Sequence, residues 1–283
     1  MSVQKIKNRW LIAASAVGIH ISIGSVYAYS VMTNPVKDIF GVESSVIKWS
    51  FKIAILLLGL SAAFLGRWVE KVGPKVSGRT AGVFYGLGIL GSGLAVQLES
   101  LPLFFICYGI IGGIGLGLGY ITPVSTLVKW FPDRRGLATG MAIMGFGFAA
   151  LIFGPIMQKL FDTVGVSNAF YILGTIYSIL ILSSASYIER PPEGYAPAGY
   201  KAGDGKKIKA DMANNTADEA LKSPKFYYIW IMMFINISCG IAIISAASPM
   251  MQEKLNYTPM EAAGIVGLIG VFNGLGRILW STL

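Results

Sequence analysis

Eight apolar runs constrain this chain more than any other feature, each close to the roughly 20 residues that a helix needs to cross a bilayer. They cover about Trp10 to Met32, Val46 to Leu65, Ser77 to Leu98, Leu101 to Val128, Gly136 to Met157, Ala169 to Ile188, Phe226 to Pro249 and Met260 to Leu283. Inside lipid a backbone must satisfy its own hydrogen bonds, which leaves helices or a closed barrel. Runs this uniformly apolar lack the alternation of barrel strands, so the fold class is an all-α membrane protein. Composition agrees: 54% of the residues are hydrophobic and 13% charged, against about 25% charged in a typical soluble domain. The first run exceeds the h-region of a signal peptide and reads as a retained helix, even with Lys5, Lys7 and Arg9 in front of it.

A net charge of +9 is compatible with nucleic-acid binding, but the basic residues lie in short clusters between apolar runs, where membrane topology accounts for them. No nucleic-acid partner is expected; the lipid bilayer is. Taken over alternate connections, 17 Lys and Arg fall on one side and 4 on the other, with Lys52 and Arg277 inside spans. The positive-inside rule then puts the N-terminus and the long central loop in the cytoplasm of a multi-pass protein of the cell inner (plasma) membrane. The loop, rich in Pro, Gly, Lys, Asp and Asn, divides a six-helix bundle over residues 1–188 from a cytoplasmic linker at 189–225 and the start of a second bundle at 226–283. On that side the glycosylation-like Asn214-Asn-Thr is idle.

Glycines recur at small-residue spacing: Gly82 and Gly86; Gly109, Gly113 and Gly117; Gly115 and Gly119; Gly136 and Gly140; Gly270 and Gly274. Such stripes let helices approach closely where lipid removes the hydrophobic driving force. Gly86-Leu-Gly88-Ile-Leu-Gly91 spells a dinucleotide fingerprint, but with no preceding strand and no βαβ unit it reads as packing glycine. Cys107 and Cys239 each lie in an apolar run and no Cys and His set has ligand spacing, so no disulfide, metal or cofactor is expected.

The costliest residue is Arg277, inside GIVGLIGVFNGLGRILWSTL. A charge there costs roughly 2.5 to 3.5 kcal/mol on insertion scales. Two readings stand: a fixed cation facing a cavity and able to fork onto a carboxylate, or an arginine that snorkels to the interface.

Two connections carry motifs. The second-to-third reads Gly66-Arg-Trp-Val-Glu70-Lys71-Val-Gly73-Pro74-Lys75, a tight turn with an acid among bases. It resembles the loop signature of the major facilitator superfamily, in which the acid and bases latch two bundles on the cytoplasmic side; Glu70 replaces the usual Asp and Pro74 a base. The fourth-to-fifth reads Lys129-Trp-Phe-Pro-Asp133-Arg134-Arg135-Gly-Leu-Ala-Thr-Gly140, where Pro132 and Asp133 are expected to stop one helix and cap the next. This string, with Asn34-Pro-Val-Lys-Asp38 after the first span, resembles the oxalate/formate antiporter family and, more loosely, its monocarboxylate relatives.

The resemblance implies a major facilitator fold of two six-helix bundles, here a complete N-terminal bundle plus the first two helices of the C-terminal one, with a midplane site and alternating access. The chain then reads as truncated within its eighth helix, and a monomer is expected at full length. Arg277, Tyr27 and Tyr120 match the substrate ligands of the antiporter-like site. Tyr29, Asn273, Phe146 and His20 are secondary candidates, and Gly66, Glu70, Lys71, Gly73 and Lys75 form the gate loop. The phenols can donate to a carboxylate while the guanidinium supplies charge. Tyr29 lies about 200° around the helix from Tyr27, so both cannot point straight into one cavity. His20, the one histidine, is either a proton relay or a hydrogen-bonded packing residue.

All 14 Asp and Glu fall in loops or at span ends. Proton-coupled monocarboxylate symporters place an acid four residues before the eighth-helix arginine; Asn273 stands there. The expected function is exchange of small carboxylate anions such as oxalate and formate, with proton-coupled lactate or pyruvate symport as the alternative. Neither an enzyme, which needs intramembrane His, Asp or Glu clusters, nor a receptor with a soluble signalling module is indicated.

Overall fold

The computed structural model describes residues 6–197 and 217–282. The middle of the central loop, Asn214 included, lies outside the described residues. Among the described residues, eight helices are long and apolar enough to span a membrane: α1 Arg9–Phe40, α2 Ser44–Val72, α3 Pro74–Gln97, α4 Leu101–Trp130, α5 Arg135–Val164, α6 Val166–Tyr187, α7 Pro224–Leu255 and α8 Pro259–Thr282. A short helix, Ala217–Leu221, precedes α7.

Most of these helices outrun their apolar cores. At 29 residues α2 is about 44 Å long, against a hydrocarbon thickness of about 30 Å. The excess is polar, as in α2's last turn at Glu70 and Lys71. The segment from Asn34 to Asp38, expected beyond the first helix, lies within α1, with Pro35 inside the helix. Asn8 caps its start, accepting from the Trp10 backbone N–H at 2.8 Å, and Gly41 ends it in the left-handed region at φ 60°. Two links shrink to one residue each: Gly73 (φ 83°, ψ 167°) joins α2 to α3, and Gly165 (φ 81°, ψ 165°) joins α5 to α6. A side chain is disfavoured at both angles.

Each glycine stripe meets its own neighbour. Gly82 and Gly86 face Ile181 and Ser178 of α6; Gly109, Gly113 and Gly117 face Ile53, Ala54 and Ser61 of α2; Gly115 faces Tyr85 of α3 and Gly119 faces Ile23 of α1. The fingerprint-like glycines pack too, Gly88 against Gly112 and Gly91 against Cys107 of α4. There α4 widens into a π-helical stretch, Phe105–Ile111, which displaces Cys107 and Gly112 from a regular helical path as α3 crosses.

Among the most extensive helix pairs is α5 with α8. Gly136 and Gly140 abut Ser281, Gly147 abuts Gly270 and Gly274, and Gly154 faces the Ala263 carbonyl. Backbone meets backbone along the seam. By contrast, α7 is exposed from Pro224 to Gly240 and gains cover only in its second half. There Asn34 of α1 donates to Gln252 at 3.1 Å, and Lys37 pairs with Glu253 at 3.6 Å.

At the other, basic end the loops are tied to one another. Glu70 pairs with Lys129 at 2.5 Å, and the Arg190 guanidinium donates to the Glu70 carbonyl. Trp130, fully buried, donates from its indole to the Glu189 carbonyl at 2.7 Å. Asp133 departs from its expected capping role. Its carboxylate takes both contacts from Arg9 Nη1, at 2.9 and 3.0 Å, and α5 begins at Arg135 without a side-chain cap. The salt bridge to the start of α1 outcompetes the local bond.

Candidate functional site

Midway along α1 the helix tightens into a 3₁₀ turn, Gly24–Ala28. A Cβ at Gly24 would stand 2.6 Å from the Phe146 Cα, so α1 and α5 touch here without side chains between them. The two candidate tyrosines, two residues apart, face different helices. Tyr29 turns into the α1–α2 interface, fully buried, where its hydroxyl donates to the Ile47 carbonyl at 2.6 Å and meets Ser50 Oγ at 2.9 Å. It is a packing residue outside the cavity. Tyr27 turns toward α8.

From α8, Arg277 reaches across. Its Nε donates to Asn273 Oδ1, one turn back, at 2.8 Å, and its Nη2 donates to the Tyr27 hydroxyl at 3.0 Å. Asn273 thereby sets the azimuth of the guanidinium plane. No Asp or Glu among the described residues forms an ion pair with Arg277. Because Tyr27 accepts from the guanidinium, its own O–H remains a donor for a ligand.

Behind this pair stands an aromatic block centred on Phe146, nearly fully buried. Its ring packs edge-on against Tyr27 (5.3 Å), His20 (5.3 Å) and Tyr120 (5.5 Å). His20 stacks on Tyr120 at 5.5 Å and contacts two backbone carbonyls, those of Ala142 and of Tyr120 (3.1 Å). Rings filling this layer exclude water from one side of the guanidinium and lower the local dielectric, which strengthens any charge paired with it.

On the open side is a cavity of about 500 Å³, lined by Tyr27, Tyr120, Asn273 and Arg277 with Ile143, Asn236, Phe272 and Trp280 among others. A smaller recess of about 180 Å³ runs inward against Phe146. The structure thus gathers Arg277, Tyr27, Tyr120, Asn273 and Phe146 from four helices, keeps His20 one ring behind, and leaves Tyr29 out. Asn236 of α7 was not anticipated; its signal was a lone amide in the run from Trp230 to Ile244.

The gate-loop residues lie well away, at the basic end. Of these Glu70 is engaged by Lys129 and Arg190, Gly73 makes the turn, Gly66 lies against Ile121, and Lys71 and Lys75 are exposed. The cavity offers one cation and several neutral donors, with no cluster of His, Cys, Asp or Glu among the described residues fit to hold a metal. It can hold an anion by charge and hydrogen bonds. It contains no paired acid and base for covalent chemistry.

The family model described as Major Facilitator Superfamily matches residues 15–283. Among curated proteins, the chain is 27% identical to the "uncharacterized MFS-type transporter YhjX" of Escherichia coli (strain K12), over 98% of this chain and 66% of that one. It is 29% identical to the "oxalate:formate antiporter" of Oxalobacter formigenes, over 96% of this chain and 62% of that one. The chain therefore spans just under two thirds of the length of these relatives. In structure it resembles a crystallised D-xylose-proton symporter, with a TM-score of 0.63 at 16% identity over 96% of this chain and 67% of the other, a likeness of fold alone.

Proposed function

The chain belongs to the major facilitator superfamily, and from that premise we propose that it serves the exchange of small organic carboxylates, of the oxalate and formate kind, by alternating access across a cell inner membrane. The observation that carries this reading is the contact of Arg277 with Tyr27 at 3.0 Å, made across 250 residues of chain and facing a cavity of about 500 Å³. It favours the cavity-facing arginine over the snorkelling one. A carboxylate there accepts from the guanidinium and from the hydroxyls of Tyr27 and Tyr120, and the amide of Asn236 reaches its far end from α7. The kinship with an oxalate:formate antiporter supports the substrate class. Asn273, standing where a proton-carrying acid belongs in a symporter, favours exchange.

In this reading residues 1–188 form the first bundle, 189–225 the cytoplasmic linker and 226–283 the opening of the second. The basic end is cytoplasmic. The pairs Asn34–Gln252 and Lys37–Glu253 hold α7 against α1 on the opposite side.

Reconstituted protein loaded with labelled oxalate, formate, lactate or pyruvate tests the proposal. Counterflow of oxalate or formate against an unlabelled partner is expected. Failure of every carboxylate to exchange would sink the reading, and uptake driven by a pH gradient alone selects proton symport.

A further inference from the structure

His20 is fully buried, yet both of its ring nitrogens meet hydrogen-bond acceptors. Nδ1 lies against the Ala142 carbonyl of α5, and Nε2 is 3.1 Å from the Tyr120 carbonyl of α4. A carbonyl only accepts, whereas a neutral imidazole has one N–H and one lone pair. In either neutral tautomer, one nitrogen therefore turns a lone pair toward a carbonyl oxygen. Only the doubly protonated ring donates to both. The two contacts thus favour a cation at a position where burial opposes one.

We propose that His20 is a proton-binding group coupled to the anion site, so that occupancy of Arg277 by a carboxylate and protonation of His20 reinforce one another. This rests on the carboxylate reading of the Arg277 site and adds to it a regulation by pH. The Tyr120 and Phe146 rings stand between His20 and the recess that Arg277 lines. With the site empty, its guanidinium opposes a second positive charge behind those rings; a bound carboxylate cancels that opposition. The proton comes from water on the cytoplasm-facing side, adds to whichever ring nitrogen lacks one, and leaves the imidazolium bonded to both carbonyls. Because coupling between two sites is reciprocal, the proton tightens the anion as much as the anion holds the proton.

The groups facing His20 do not offer another partner for the charge. Arg277 faces it from α8, Tyr120 from α4 and Tyr27 from its own helix. Tyr85 of α3 lies farther along α1, bonded to Ser25 at 2.8 Å, with Tyr177 of α6 against it. From α5 come Ala142 and Phe146, neither titratable, and no Asp or Glu among the described residues lies in this layer.

The chain has a single histidine, which makes the test direct. With imidazole-¹⁵N histidine incorporated and a purification tag free of histidine, the ring gives one pair of nitrogen signals that separate imidazolium from either neutral tautomer. The expected result is a larger imidazolium share in saturating oxalate or formate than without it, over about pH 5 to 8. In parallel, titration of the same anions should show affinity rising as pH falls, by at most about tenfold per pH unit for one proton. In His20→Gln the dependence should vanish while binding persists. A ring that stays neutral with and without anion overturns the coupling, as does a His20→Gln chain with unaltered pH dependence. If that variant does not fold, the ring signal of the unaltered chain decides alone. Absence of carboxylate binding at every pH overturns the carboxylate reading itself, whereas binding that is intact but blind to pH overturns only the coupling.

Discussion

Replacing Gly147 by alanine puts one methyl group into the α5–α8 seam. Built on the existing backbone, that carbon stands 2.5 Å from the Gly274 Cα and 2.6 Å from the Gly270 carbonyl oxygen, while real Cβ contacts essentially never fall below 3.0 Å. Both obstacles are main chain, so no side chain can turn aside and the helices must part by at least about 0.5 Å. Arg277 lies one turn beyond Gly274, so the same displacement stretches its 3.0 Å bond to Tyr27 toward the limit of a useful hydrogen bond. Overpacking of this kind costs about 1 to 3 kcal/mol. If the loss falls on the anion-competent arrangement, affinity drops by about 5- to 150-fold. The assay is the dissociation constant for oxalate or formate, with thermal unfolding of the same lipid-reconstituted samples. Gly264→Ala on α8, where nothing lies within 4 Å, is the control. It should match or slightly exceed the unaltered chain, since alanine is favoured over glycine in a helix by up to about 1 kcal/mol. Melting and affinity in Gly147→Ala equal to those of the control would refute the reasoning.

Arg277→Gln should weaken carboxylate binding at least about tenfold, the size of one lost charge-assisted bond, with little change in melting; an unaltered dissociation constant returns Arg277 to snorkelling. Tyr27→Phe removes the hydroxyl that Arg277 holds and should cost about 1 kcal/mol in affinity, read in the same titration. Tyr29→Phe should do the reverse, lowering unfolding stability by about 1 to 2 kcal/mol through the lost Ile47 and Ser50 bonds while affinity stays unchanged. Glu70→Gln breaks a half-exposed ion pair with Lys129 and should change stability by less than about 1 kcal/mol, an effect that disappears in high salt.

The eight spans were legible because bilayer thickness sets a length that hydropathy reports, and the glycine stripes because only small residues permit such approach. Helix ends were less legible: α1 runs on through Asn34 and Pro35, since hydropathy registers where lipid ends and not where the helix does. Arg277 stood out by its cost. Which tyrosine accompanies it did not, because helix geometry separates Tyr27 from Tyr29 without telling which of the two faces α8. Asn236 carries no charge to mark it in an apolar run. The pairing of Asp133 with Arg9 spans 124 residues, beyond the reach of a capping rule that looks three residues ahead.

The single-glycine links carry a further consequence. Gly73 and Gly165 adopt backbone angles within 2° of each other, yet one closes α2 onto α3 at the basic end and the other closes α5 onto α6 at the opposite end. The first six helices are thus two triplets of like design inserted upside down with respect to each other, an inverted pseudo-symmetry. Each triplet begins with a helix of irregular winding, the 3₁₀ turn in α1 and the π stretch in α4. The two ends of the bundle are thus turned and bent by the same local devices.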